Sequence, residues 1–214
     1  MLEKGSLKPP EGDSWQQAWE LAVDLTVAKL AESDLEDRCK KSGAQWDPDS
    51  GMVEIAFLGD RYRVPCPEFT VARLADGGDA PITERILLLH YLVRATGAAP
   101  TDEWIGFVEV PGAELYLANF RARSVDRLVR AYSGREEELV GAAAAVGGQE
   151  ADHGDVAVCL QALPNVPVMV TLWRGDDEFA PSGNLLFDST VVQHLSIEDM
   201  VVLAGTIASR LCQR

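Results

Sequence analysis

The sequence predicts an α+β fold in which antiparallel β-hairpins pack against a buried central helix and a C-terminal amphipathic helix. Three observations carry that prediction. Two β-rich runs, Val156 to Ala162 and Val168 to Trp173, are separated by Pro164-Asn165-Val166-Pro167, and β-runs joined by a short Pro/Asn loop form an antiparallel hairpin. Residues Ile86 to Val93 are apolar or aromatic everywhere except at His90, the pattern of a helix covered on all sides. Helical and strand patterns alternate without a regular βαβ rhythm, so the class is α+β.

From the start, residues Met1 to Gly12 form a polar leader with Pro9-Pro10, and residues 13–214 are expected to make a single domain. Ser14 with Gln17 predicts a capped helix start. Trp15, Ala18, Trp19, Ala22 and Leu25 then mark the expected inner face of a helix reaching about Ala31. A shorter helix spans Leu35 to Lys41 and stops at Gly43, the residue type that tolerates a left-handed C-terminal position. Trp46 to Gly51 is turn-rich, Met52 to Phe57 is a strand, and Tyr62 to Val64 returns beside it until Pro65-Cys66-Pro67 ends the pairing. The central helix is expected over Thr83 to Thr96. Trp104 to Val110 reads as a strand, Ala122 to Tyr132 and Glu136 to Val146 as helices, and Gly147 to Gly154 as a loop. After the C-terminal hairpin, an acidic loop leads to a short strand, Leu185 to Phe187. Ser196 caps the last helix with Asp199 as its partner three residues on. Ile197, Met200, Val201, Ala204, Ile207, Ala208 and Leu211 share one face of that helix. Arg210 and Arg214 stand at its C-terminal end, where the helix dipole favours cations.

The formal charge of -15, from 34 acidic against 19 basic residues, argues against nucleic acid, since there is no cationic excess to displace phosphate counterions. It argues equally against anionic membrane surfaces. No run reaches the roughly 18 apolar residues of a membrane span, and the N-terminus lacks the apolar core of an export signal. Cys39, Cys66, Cys159 and Cys212 are far apart with no Cys-x-x-Cys, which predicts reduced thiols in a cytoplasmic protein. Neither a structural zinc site nor a nucleotide-binding glycine motif has the spacing it requires.

Several blocks also occur together in a familiar order. Ile86-Leu87-Leu88-Leu89-His90-Tyr91-Leu92 precedes Trp104-Ile105-Gly106-Phe107, Pro111-Gly112-Ala113, Tyr116 and Phe120-Arg121-Ala122-Arg123. Leu172-Trp173-Arg174-Gly175-Asp176-Asp177-Glu178-Phe179, Leu186-Phe187-Asp188 and His194-Leu195-Ser196-Ile197-Glu198-Asp199 follow. Over roughly Trp15 to Leu211 the chain resembles a prokaryotic family known as domain of unknown function 3786. The resemblance implies an anaerobic setting and brings no activity with it. Some members carry an added iron–sulfur segment with clustered cysteines, which this sequence lacks.

Three groups of residues are candidates for function. The first is Glu178, Asp188 and His194, which would supply acid–base chemistry if the acidic loop and the turn before the last helix meet at one sheet rim. Asp188 would orient His194 and raise its pKa. The second is the arginine cluster, Arg121, Arg123, Arg127 and Arg130, with Arg123, Arg127 and Arg130 on one helix face, suited to a carboxylate or phosphate. The third is Trp173, Asp176 and Phe179 on the acidic loop, with Phe179 expected to anchor the loop tip to the core. His90 is expected to be a neutral core residue. A non-catalytic binding or accessory protein of an anaerobic redox or cofactor pathway accounts for these features. The alternatives are an enzyme acting on a small anionic substrate, and a tetrapyrrole- or corrinoid-binding protein with His90 or His194 as axial ligand. Expected partners are a protein or a small anion. The residues name no cofactor.

Overall fold

The structure, a computed structural model, describes Gly12 to Gln213, with side chains from Gln17 onward. The N-terminal leader therefore lies outside the described residues apart from Gly12, as do Arg214 and the side chains of Ser14 and Trp15. The chain runs α1 (Gly12–Ala31), α2 (Leu35–Ser42), β1 (Gln45–Asp47), β2 (Met52–Phe57), β3 (Asp60–Pro65), β4 (Ala72–Arg73) and α3 (Ile82–Arg94). It continues through β5 (Trp104–Gly106), α4 (Leu117–Arg123), α5 (Val125–Tyr132), α6 (Glu138–Ala144), β6 (Gln149–Ala151), β7 (Val156–Leu163), β8 (Val166–Trp173), β9 (Ser182–Asp188) and α7 (Ile197–Leu211). The predicted α+β class is the observed one.

The strands form two antiparallel sheets, β1-β2-β3-β4 and β5-β9-β8-β7-β6. The predicted C-terminal hairpin is β7–β8, pairing Val156 with Leu172 and Leu160 with Val168 around a tight Pro164-Asn165 turn. Seven of the eight residues of β8 are buried, as its place in the middle of the second sheet requires. The sheets touch where the β2–β3 turn meets β7. There the Leu58 amide donates to the Ala162 carbonyl at 3.1 Å. Gly59 takes φ 79°, and a Cβ on it would come within 2.7 Å of the Val146 backbone, so the turn depends on glycine twice over.

Helix α3 crosses the middle of the molecule. Ile86, Leu87, Leu88, Leu89, Tyr91 and Leu92 are all buried, and one continuous apolar cluster joins them to both sheets and to α7. The C-terminal helix keeps its predicted face, and its predicted cap is reciprocal: the Asp199 amide donates to Ser196 Oγ, while Ser196 N and Oγ donate to Asp199 Oδ2.

Four expectations need correction. Helix α1 buries Val23, Thr26 and Leu30, whereas Ala18 and Leu25, expected inside, are exposed. Its apolar residues occupy two opposite faces, so periodicity alone did not choose between them. The Trp104 to Val110 strand stops at Gly106 and continues as a turn of 3-10 helix. The Gly147 to Gly154 loop contains β6, which covers the outer edge of β7. The single helix expected over Ala122 to Tyr132 is divided at Ser124, whose Oγ donates to the Phe120 carbonyl at 2.6 Å; it satisfies that carbonyl from within the chain and lets the backbone turn between α4 and α5. Arg210 sits in the last turn of α7 as expected, and there it also enters a buried network. Its Nη1 donates to Asp60 at 2.7 Å, and its Nη2 donates to Glu84 at 2.9 Å and to the Tyr62 hydroxyl at 2.8 Å. Tyr62 in turn donates to the other Glu84 oxygen at 2.7 Å.

Leu89 is fully buried, so Leu89→Ala is expected to cost about 2–5 kcal/mol in a urea melt; a loss below about 0.5 kcal/mol would place α3 at the surface. Arg210→Met leaves Glu84 buried and without its countercharge. The expected loss is about 3–5 kcal/mol, much of it recovered when Glu84→Gln is added, as a double-mutant cycle would measure.

Candidate functional site

The structure sets Glu178 apart from Asp188, while Asp188 is close enough to His194 for their charges to interact. Glu178 lies on the loop before β9 and Asp188 ends that strand. β9, seven residues at about 3.3 Å each, puts roughly 20 Å of strand between that loop and Asp188. Asp188 is buried and fully engaged: it accepts from the amides of Thr101, Asp102 and Thr190 and from the Thr190 hydroxyl. Burial pushes its carboxyl up, but these hydrogen bonds outweigh burial and hold it below the usual carboxylate value. Asp188 thus secures the 3-10 turn that follows β9.

His194, expected on a partly exposed turn, is fully buried. Its Nε2 donates to the Ala98 carbonyl at 3.0 Å and its ring lies against Tyr91. Its Nδ1 has no partner among the described residues. Burial pulls its pKa below the ordinary value of 6.5, against the raising effects of the Ala98 carbonyl and of Asp188. The expectation of a raised pKa is therefore reversed, because desolvation outweighs the nearby carboxylate.

His90 also differs from expectation. Its ring is partly exposed, and Nδ1 lies 2.7 Å from Asp199 Oδ1. One carboxylate thus serves both the α7 cap and α3, tying the two helices together. The four cysteines are free, and burial pushes the Cys39 and Cys66 thiols up to about 11, which keeps both protonated and unreactive.

The acidic loop is held by its own backbone. Asp176 Oδ1 accepts the amides of Glu178 at 2.8 Å and Phe179 at 2.7 Å, and these bonds lower its pKa. The Arg174 guanidinium bonds Glu137 across the loop mouth. Phe179 points outward at 69% exposure, so the loop is not anchored through it. Trp173, Asp176 and Phe179 line one shallow surface groove, with Trp173 edge-on to His153.

The arginines divide. Arg121 and Arg130 line an open groove beside Pro181 and Gly183, and Arg121 pairs with Asp126 at 3.4 Å. Arg123 and Arg127 face a different place, a cleft of about 510 Å³ between α1, the start of α3, the α4–α5 junction and α7. Trp19 forms one wall, and Thr83, Thr206, Ser209 and Gln213 add polar groups. Arg123 and Arg127 form no ion pair with the described residues. Helix α3 begins at this cleft without a side-chain cap. The Glu84 and Arg85 amides turn back to the Pro81 carbonyl, so the Thr83 amide is one of the first-turn donors that an α-helix leaves for an outside acceptor. Glu84 and Arg210 reach the cleft floor already engaged in the buried network. The sequence pointed to Arg123 and Arg127. It held no signal for Trp19, Thr83 or Gln213, which come together only through helix packing.

Residues 34–210 match the family described as domain of unknown function DUF3786. The chain belongs to that family. The DUF3786 match covers the central helix, both sheets and nearly all of α7, while α1, which contributes Trp19 to the cleft, precedes the matched residues. No curated protein and no solved structure matches the chain. Among the described residues, no helix is long and apolar enough to cross a membrane.

A histidine kept neutral by burial stabilises the fold fully above its unfolded pKa and loses that contribution as pH falls. His194 should therefore make the protein less stable as pH drops below about 6.5. Chemical denaturation at pH 7.5 and pH 5.5 is expected to show a smaller drop for His194→Gln than for the wild type; an equal drop would mean that His194 does not titrate with unfolding.

Proposed function

We propose that this DUF3786 protein is a cytoplasmic, non-catalytic binding protein for a small anionic compound, held in the cleft between α1, α3 and α7. One observation carries the reading: two guanidinium groups without carboxylate partners share a cleft of ligand size on a chain of formal charge -15. Acidic side chains are abundant, and some arginines pair with them, as Arg61 does with Glu54 at 2.6 Å and Arg73 with Asp60 at 3.4 Å. Arg123 and Arg127 are not paired in this way and both line the cleft, and guanidinium groups suit carboxylates and phosphates. The Thr83 amide, at the positive end of α3, adds to the same preference. Trp19 offers a flat apolar wall to the rest of the ligand. The setting we propose, an anaerobic redox or cofactor pathway, rests on the family resemblance.

Catalysis is the weaker reading because neither His90 nor His194 lines the cleft. A tetrapyrrole is disfavoured because His194 is enclosed and His90 does not line the cleft.

The test is a thermal-shift and calorimetric screen against inorganic phosphate and small mono-, di- and tricarboxylates, with native mass spectrometry of gently purified protein. Arg123→Gln and Arg127→Gln should each weaken binding tenfold or more, about 1.4 kcal/mol, with the melting temperature of the free protein unchanged. Identical binding by the double variant would refute the site.

A further inference from the structure

We propose that the outer face of α1 docks a second copy of this chain, the two α1 helices lying parallel as a short two-stranded coiled coil. This goes beyond the anion-binding reading and does not rest on it.

The observation is a helix with two opposed apolar faces, of which the protein covers one. Val23, Thr26 and Leu30 face inward and are buried. On the opposite side Ala18, Leu21, Leu25 and Ala28 follow one another at spacings of three, four and three, and all four are exposed. Leu21 is 60% and Leu25 58% exposed. A lone exposed leucine needs no explanation, but leucines one turn apart within an apolar stripe mark a contact surface. The spacing is that of heptad positions a, d, a and d, which form the seam between two helices.

Charge selects the occupant and its direction. With Ala18 and Leu25 at a, Asp24 falls at g and Lys29 at e. Both are exposed, and neither has an ion-pair partner among the described residues. In a parallel pair of helices the g residue of one faces the following e residue of the other. Each Asp24 then meets the Lys29 of the second copy, twice by symmetry. An antiparallel pair would instead bring like charges together. The seam is thus complementary to itself in one orientation, as a two-fold interface demands. An anionic membrane is a poor alternative for a chain of charge -15. Because α1 also supplies Trp19 to the cleft, a second copy would hold that wall in place from behind.

A two-heptad seam is smaller than a standard interface, so the dimer should be weak and concentration-dependent. Sedimentation velocity on the full chain across the micromolar range is expected to show monomer passing into dimer. Leu21→Gln with Leu25→Gln should weaken the dimer at least tenfold without altering the circular dichroism, since neither side chain is packed in the monomer. Asp24→Lys and Lys29→Asp should each weaken it, and the two together should restore it. A chain that stays monomeric at every concentration, as it would if a different protein covered this face, overturns the proposal. So does a dimer indifferent to the leucine changes, or a charge exchange that fails to restore association.

Discussion

The packing of this protein turns on one buried cation. Arg210, only 14% exposed, reaches from the last helix to Asp60 at the start of β3, to Glu84 in the first turn of α3 and to Tyr62 within β3. Burial alone would pull a guanidinium toward neutrality. The bonds to Asp60 and Glu84 outweigh burial, so its pKa is raised. Burial and the bond to Glu84 likewise raise that of Tyr62. A charge out of water is tolerated only when its partners are in place, so the network holds three elements in one arrangement. The apolar cluster around α3 is larger, but apolar packing is less particular about register than a three-way hydrogen-bonded clamp.

The cleft follows from that arrangement. Arg210 and Glu84 spend their charges on each other and on Asp60 at its floor, which leaves the rim to Arg123 and Arg127. The break at Ser124 matters for the same reason. A continuous helix would have carried Arg123, Arg127 and Arg130 along one face. With the break, α4 and α5 each bring one arginine to the cleft, Arg123 and Arg127, while Arg130, farther along α5, lines another surface with Arg121. The carboxylates are handled differently in each place. Asp188 and Asp199 are consumed by caps and backbone amides, Asp176 folds its own loop, and most others face water.

The elements most legible in the sequence were those whose local signals agreed. The β7–β8 hairpin combined a continuous apolar run with a Pro-Asn turn. Helix α7 combined a capping box with a single apolar face, and α3 was apolar all round. Helix α1 was only half legible: it carries apolar residues on two faces, and which one turns inward depends on α3, far along the chain. The short strands β1, β4 and β6 were missed because two or three residues at a sheet edge carry no periodicity to detect. Within the candidate site, Arg123 and Arg127 were visible as charge clustering. His194 was misjudged because a histidine before a helix cap looks the same in sequence whether the turn lies on the surface or, as here, beneath Tyr91 and Ala98.

Sequence alone determined the α+β class, the central helix, the C-terminal hairpin, the capped last helix, the acidic balance and the family. These are properties of neighbouring residues or of totals, and local propensity and burial pattern are enough to set them. Tertiary structure alone decided that Arg210 would bind Glu84, 126 positions away, and that Asp188 would end β9 while Glu178 stays on the loop before it. It also decided that Trp19, Thr83 and two arginines would enclose a cleft. Such meetings depend on how helices cross and which face each buries, and those choices belong to the packed chain as a whole.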